Sequence, residues 1–441
     1  MGIKEKLKKP WWWYLLLVSV ILILFSGGAL AYKALFLTHN IVSQKLTLSG
    51  NKNSLGVTKL KGEEEGRVNV LFLGIGVEGQ QGADLTDTIM LASLDLRQNN
   101  VALISIPRDL YIKVPDLGYS KINAVYTWGN KEEYPGGGGQ LMMETVSKIL
   151  GVPLNYYVVV DFDAFKEIVN TLGGIDIKVE KDIYDYEYPS PNERGYSPFI
   201  LKKGDYHMDG DLALKYVRSR KSTSDFDRAR RQQQVILAIR DKALSLKILA
   251  NPKKVYELYN TLEKHIKTNF QLPEIARAIE LAQNFKLENV NNVVLDDSTQ
   301  GLLYADNVNG AYVLRPYSED FSEIQKFVEF CLYEGPQVKK ENATIELENG
   351  TGWFNLAQDV AKRLKQYNLN IVATTTADRY DYTKSIIYDQ SEGQKPTTVS
   401  FLAEYFGASV VKKKKESPSD PDIIVIIGQS FLNLYNQQKS Y

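Results

Sequence analysis

The apolar positions of the chain form one long uninterrupted run near the start, followed by many short runs whose period changes from segment to segment. Trp11 to Tyr32 carries no charged residue. At about 1.5 Å per residue this run spans the roughly 30 Å hydrocarbon layer of a bilayer, so residues 11–33 read as a transmembrane helix. Lys4, Lys6, Lys8 and Lys9 precede it and Trp11, Trp12, Trp13 and Tyr14 open it. That pattern puts residues 1–10 in the cytoplasm and the bulk of the chain outside the cell membrane. A cleaved signal peptide with Ala29-Leu30-Ala31 as its cleavage site is the competing reading, but the run exceeds a typical apolar core of about 7–15 residues. Residues 34–66 are polar, with Glu63, Glu64 and Glu65, and read as a juxtamembrane spacer.

The short runs then predict an α/β fold. Val68 to Leu73 reads as a strand running into the glycine loop Gly74-Ile75-Gly76, Ile89 to Leu94 as a second, and Val101 to Ile106 as a third that ends at Pro107-Arg108-Asp109. Gly136 to Gly139 reads as a mobile loop before a helix from Gln140 to Leu150. Tyr156 to Val160 is a buried strand, Asp163 to Leu172 a helix stopped by Gly173-Gly174, and Ile175 to Val179 another strand. Strand, helix, strand implies a sheet with some parallel pairs. Asp182 to Phe199, rich in Tyr and Pro, reads as an excursion over a site. Further on, Pro252 to His265 and Leu272 to Gln283 have helical period, Val290 to Leu295 and Tyr312 to Arg315 are short strands, and Val338 to Glu341 is a charged linker. From Ala343 a strand, the turn Asn349-Gly350-Thr351-Gly352, a helix and a strand begin a small α/β unit that closes with Ile423 to Gly428. The Lys412 to Lys415 run reads as a solvated turn.

Candidate chemistry concentrates in Leu214 to Gln234, which holds Arg218, Arg220, Arg228, Arg230 and Arg231, with Asp225 and Asp227 between them and three glutamines after. Guanidinium presents a planar fork of donors that matches phosphate oxygens two at a time and stays charged. The bland alternative is a solvated helix face with internal ion pairs. Spacing favours the former: with Asp225 or Asp227 as N-cap, Arg228, Gln232, Val235 and Ile239 share one helix face, so an Arg and a Gln lie in line with the core. Arg230 points elsewhere, and Arg231 is open between site and surface. Ala213 to Val217 reads as a helix end or a strand; Arg218 and Arg220 would point the same way if extended. Charged residues at strand ends, Asp87 and Arg108-Asp109, stand where α/β sheets place ligands. Taken singly, Asp87 is as well explained as a turn cap and Arg108-Asp109 as a local ion pair.

Composition narrows the classes. The chain has 441 residues, so two or three domains are expected. With 53 basic and 53 acidic residues the net charge is zero, which argues against a nucleic-acid partner and makes any phosphate recognition local. One cysteine and three histidines exclude a disulfide framework and a Cys-based zinc site within the chain.

Thr86-Asp87-Thr88, Ser105 to Asp109 (SIPRD), Lys121 to Tyr126 (KINAVY), Leu172 to Ile177 (LGGIDI), Ala213 to Arg220 (ALKYVRSR) and Asp225 to Gln234 (DFDRARRQQQ) together resemble the LytR-CpsA-Psr family of cell-wall phosphotransferases. The resemblance implies a three-layer α/β/α catalytic domain with a central mixed sheet over residues 67–250, then a helical extension over 251–340. It implies a LytR C-terminal-like α/β domain over 341–433, with 434–441 as a tail. Its implied activity is magnesium-dependent transfer of an anionic glycopolymer from an undecaprenyl-pyrophosphate carrier to a peptidoglycan hydroxyl. Carried over by position, Arg108, Lys121, Arg218, Arg220, Arg228 and Gln232 are implied pyrophosphate ligands and Asp87 the magnesium ligand. Arg108, Asp109 and Asp225 are candidate catalytic groups, the two carboxylates for orienting arginines or accepting the hydroxyl proton. Gly76 and Leu85 stand where many members carry an aspartate or arginine, so Asp84 is the candidate second metal ligand. Apolar residues of Phe162 to Val169 and Val235 to Ile239 are read either as a lipid pocket or as ordinary core. A polyprenyl-phosphate-binding wall scaffold and a lipid pyrophosphatase are the competing functions.

Overall fold

The computed structural model of the chain describes residues 59–77, 84–114, 118–190, 195–220, 224–245, 265–271, 274, 277–278, 281, 290–297, 302–318 and 320–439. The expected membrane span, most of the spacer, and the expected helices at 252–265 and 272–283, apart from a few residues, lie outside them. Among the described residues no helix is long and apolar enough to cross a membrane. The chain divides into two compact units, residues 1–146 with 153–294, and 147–152 with 295–441.

The first unit is built on β1 (Arg67–Ile75), β2 (Thr88–Asp95) and β3 (Asn100–Ser105), which pair antiparallel in succession. The hairpin β4 (Tyr111–Val114) and β5 (Gly118–Lys121) follows, then helices α1 (Val125–Lys131) and α2 (Gly137–Leu150). Strand β6 (Tyr156–Asp161) returns parallel to β1 because helix-bearing chain intervenes. After it come α3 (Phe162–Thr171), β7 (Ile175–Val179), β8 (Ile183–Asp185), β9 (Phe199–Leu201), β10 (Gly204–Met208), α4 (Gly210–Arg218), α5 (Asp225–Ser245), β11 (Ile266–Thr268) and β12 (Val290–Val294). The central sheet is mixed, in the order β11-β6-β1-β2-β3-β12. β7 does not join it. It pairs antiparallel with β10 instead, and the expected parallel pairs are β1 with β6 and β3 with β12.

Alternation decides the layers. Val70, Phe72, Met90, Ala92, Val158 and Val160 share a core with Ala164, Ile168 and Val169 of α3, Ala213 and Tyr216 of α4, and Val235 and Ile239 of α5. Each Val, Ile, Phe or Met among them contributes about 1.5–3 kcal/mol by leaving water. Val235 and Ile239 are therefore core. Tyr157, one residue out of phase, faces α2, where a Cβ on Gly139 would lie 2.3 Å from its ring. A Cβ on Gly138 would come 2.0 Å from the Tyr126 carbonyl oxygen. The glycine run expected to be a mobile loop is thus the first turn of α2, glycine-rich because two neighbours approach it closely.

In the second unit, β13 (Leu303–Val308) and β14 (Ala311–Pro316) form a hairpin closed by Asn309-Gly310, both at positive φ. Helices α6 (Ser322–Tyr333) and α7 (Gly335–Glu341) follow, so the expected charged linker is a helix end. A five-stranded sheet comes next, built from β15 (Thr344–Asn349), β16 (Asn370–Thr376), β17 (Ile386–Asp389), β18 (Ser409–Lys412) and β19 (Ile423–Ile427), in the order β16-β15-β19-β17-β18. Helices α8 (Leu356–Leu364), α9 (Pro396–Phe406) and α10 (Gln429–Lys439) complete it. The buried Glu341 carboxylate accepts from the backbone N–H groups of Thr397 and Thr398 at 3.0 and 2.8 Å, holding the start of α9.

Candidate active site

Three loops at one end of the central sheet are stitched together by their backbones. The Asp87 N–H donates to the Gly74 carbonyl at 2.9 Å, and a Cβ on Gly74 would lie 2.9 Å from the Thr88 Cβ, so glycine lets the loop close onto β1. Thr86 is fully buried, and its N–H and hydroxyl both donate to the Asn123 carbonyl, at 3.1 and 3.2 Å. The Asn123 N–H donates in turn to the Arg108 carbonyl at 3.3 Å. The TDT, SIPRD and KINAVY segments thereby become one rigid platform.

Charges converge on Asp87. Arg108 Nη1 donates to its Oδ1 at 2.6 Å and Arg220 Nη2 to its Oδ2 at 2.9 Å. Burial pushes this carboxyl up, but the guanidiniums of Arg220, Arg108 and Arg228 outweigh it and hold Asp87 below the ordinary aspartate range. Because the folded pKa is depressed, the ion cluster is fully formed above the unfolded value of about 3.9 and is lost as pH falls through the lower folded value. The melting-temperature gap between the native chain and Asp87→Asn should therefore be constant above about pH 5 and close below about pH 4. A gap that instead opened and closed around neutrality would contradict this assignment.

Arg228 is buried, and with Asp87, Arg108, Gln232, Ser105 and Phe226 it lines a cavity of about 20 Å³. That is room for roughly one water. The structure thus brings together Asp87, Arg108, Arg220, Arg228 and Gln232. Lys121 stands one step behind them: its Nζ donates to Asp109 Oδ1 at 2.6 Å, while Asp109 Oδ2 lies 3.5 Å from Arg108 Nε. Asp109 is nearly buried between these two cations. Asp84 is exposed, and its carbonyl accepts from Thr127 Oγ1. Asp225 opens α5, and its side chain lies outside the described residues.

Arg218 is held apart from this cluster. Its guanidinium lies 4.3 Å over the Phe162 ring and lines a second cavity, of about 310 Å³, with Tyr188, Phe199, Leu214 and Lys166. The excursion after β7 supplies the Tyr188 and Phe199 wall. Arg218 and Arg220 diverge because residues 210–218 are helical and the chain turns extended at Ser219 (ψ 135°).

Helix α5 is capped by Ser224 rather than an aspartate. The Ser224 N–H and hydroxyl donate to Asp227 Oδ2, and the Asp227 N–H donates back to Ser224 Oγ at 3.0 Å, a reciprocal box. That start sets the face expected from spacing, with Arg228, Val235 and Ile239 all buried. Arg230 is exposed, 3.2 Å from Asp227. Gln233 Nε2 donates to Ser105 Oγ and the Val293 carbonyl, both at 2.9 Å, fastening α5 to β3 and β12. Arg231 is buried, with Nε donating to the Tyr216 carbonyl at 2.9 Å and Nη2 to that of Ser219. Asp185, in the Tyr-rich excursion and without a periodic cue, went unnoticed in the sequence; it accepts from Ser219 Oγ and the Arg220 N–H, each at 2.9 Å.

A model of the LytR_cpsA_psr family matches residues 32–328, and one described as LytR cell envelope-related transcriptional attenuator matches 342–431. The polyisoprenyl-teichoic acid–peptidoglycan teichoic acid transferase TagT of Bacillus subtilis (strain 168) is 28% identical over 308 residues, 68% of this chain and 90% of that protein. The corresponding transferase TagU of Bacillus mycoides (strain KBAB4) is 29% identical over 307 residues, 68% of this chain and 91% of its own. The crystal structure of B. subtilis TagV is similar with a TM-score of 0.47 at 27% identity, covering 60% of this chain and 97% of that one. With the family model spanning well over half of its length, the chain belongs to the LytR-CpsA-Psr family.

Proposed function

We propose that the chain transfers an anionic glycopolymer from an undecaprenyl-pyrophosphate carrier to a hydroxyl of peptidoglycan, at the outer face of the membrane that residues 11–33 would span. The observation that carries this is Asp87 gripped by Arg108 and Arg220 with Arg228 and Gln232 on the same small cavity. The related transferases named above, with polyisoprenyl-linked teichoic acid as donor and peptidoglycan as acceptor, support the same reaction class. The acceptor oxygen attacks the phosphorus bearing the glycopolymer, the bond to the bridging oxygen breaks, polyprenyl phosphate departs, and the hydroxyl proton is released to solvent overall.

The fixed guanidiniums act on charge. Arg108, Arg220 and Arg228 spread the negative charge that builds on the equatorial and leaving oxygens, which a loose phosphoryl transition state requires more than a strong base. Asp109, held between Lys121 and Arg108, orients the latter. Among the described residues no group of three or more His, Cys, Asp or Glu is placed to hold a metal. Asp87, ionised and about one-third exposed, suits magnesium, which takes one or two carboxylates and draws its remaining ligands from phosphate oxygens and water. Bound there, the ion would neutralise charge on the transferring group. The cavity beside Arg218, with Phe162, Leu214 and Phe199 in its wall, is where the donor's prenyl end would enter.

The test is the full chain in detergent with a lipid-pyrophosphate-linked saccharide, peptidoglycan fragments and magnesium. Glycan appearing on peptidoglycan is the expected result. Tight lipid binding without transfer would instead indicate a scaffold, and phosphate release without peptidoglycan a pyrophosphatase.

A further inference from the structure

We infer that Asp185 and Arg231 are positioning residues for transfer: they clamp the Ser219–Arg220 peptide from both sides and thereby aim Arg220 at Asp87. The inference rests on the function proposed above. Arg220 leaves the end of a helix, where carbonyls lack partners and the chain is free to choose its exit direction. Arg231 takes two of those carbonyls, of Tyr216 and Ser219, from a position one turn beyond Arg228 on α5. Asp185 takes the next groups along, the Ser219 hydroxyl and the Arg220 N–H, on a single oxygen. Ser219 itself is fully buried, and Asp185 and Arg231 are buried with it.

This clamp joins three separate stretches: strand β8, the end of α4, and α5. Asp185 and Arg231 both act on the Ser219–Arg220 peptide, so they reach Asp87 through Arg220, whose Nη2 donates to Asp87 Oδ2 at 2.9 Å. Arg220 is about one-third exposed, and without the clamp its long side chain would recover rotamer freedom that must be given up again to meet Asp87. An arginine that is present but not aimed still contributes to donor attraction. It no longer meets the charge that develops only during transfer, so kcat falls more than KM rises.

The experiment compares Asp185→Ala, Asp185→Asn, Arg220→Ala and the Asp185→Ala/Arg220→Ala pair in the full chain. Asp185→Ala should lower kcat about 100-fold with KM for the lipid-linked donor within about threefold. Asp185→Asn keeps one acceptor oxygen and should recover most of that loss. The double variant should be no slower than Arg220→Ala alone, because both act through one group. Losses that multiply in the double variant, or a native kcat in Asp185→Ala, would overturn the inference. A crystal structure of each Asp185 variant reads the same point without turnover: Arg220 should have left Asp87 in the Ala variant and remain on it in the Asn variant. Were the native chain to transfer nothing, the function would fail, while these structures would still decide whether Asp185 aims Arg220. Should Asp185→Ala not fold, a crystal structure of Arg231→Met, which removes the other side of the clamp, decides it: Arg220 displaced from Asp87 would uphold the inference and Arg220 still on Asp87 would overturn it.

Discussion

Arg228→Ala is expected to lower transfer at least about 10³-fold, while Arg230→Ala stays within about twofold of the native rate. The two arginines are two residues apart on one helix and identical in charge, so their difference isolates placement. Arg228 is 5% exposed and lines the cavity with Asp87, Arg108 and Gln232. Its field also contributes to holding Asp87 ionised. A guanidinium in such a site meets phosphate charge with little screening by water. Arg230 is more than half exposed and sits against Asp227 one turn away, a surface pair worth little. Rates measured on detergent-solubilised full-length protein at saturating magnesium would decide it, and equal activity in the two variants would remove the basis for assigning the helix face.

Asp87→Ala is expected to separate binding from turnover. Two guanidiniums hydrogen-bond this one carboxylate and that of Arg228 adds its field, so the carboxylate takes the place a phosphate oxygen would have among them. Arg108 and Arg228 line the space beside it, so a phosphate group there competes with the carboxylate for them. Removing Asp87 frees them. In EDTA, binding of a short prenyl pyrophosphate should tighten about tenfold, equivalent to about 1.4 kcal/mol, because no internal anion has to be displaced. With magnesium, transfer should nevertheless drop about 10³-fold or more, since the proposed anchor for the cation is gone. Calorimetric titration and the transfer assay answer the two halves separately. Weaker binding in EDTA would mean that Asp87 organises the arginines more than it competes for them.

Much of this was legible in the residues. Continuous apolar runs identified β1, β2, β3 and β6, because strands buried on both faces leave little room for polar residues. The line from Arg228 through Gln232 to Val235 and Ile239 followed from helical period alone. What the sequence hid were contacts that carry no period. Asp185 lies in a Tyr-rich excursion where nothing marks its aspartate as different from Asp182. Arg231 looked like a third member of an arginine run, yet its partners are backbone carbonyls, which have no sequence signature. Arg218 and Arg220 appeared equivalent because alternation assumes an extended chain, and the helix reached Arg218 before the turn. Gly136 to Gly139 misled for the opposite reason: glycine marks close approach as often as it marks freedom.

The pairs that define the centre join distant parts of the chain. Asp87 and Arg220 are separated by 133 residues, and Gln233 and Ser105 by 128. Contacts of such sequence separation carry a large loop-closure cost and are late to form. The strands and helices of the first unit can be largely in place before the arginines find Asp87. In a chain made from its N-terminus, the centre cannot exist until α5 has followed β1, β2, β3 and β6. The charge cluster is thereby tied to the late part of the first unit, and a chain that ends before Arg220 holds Asp87 without one of its two hydrogen-bonded arginines.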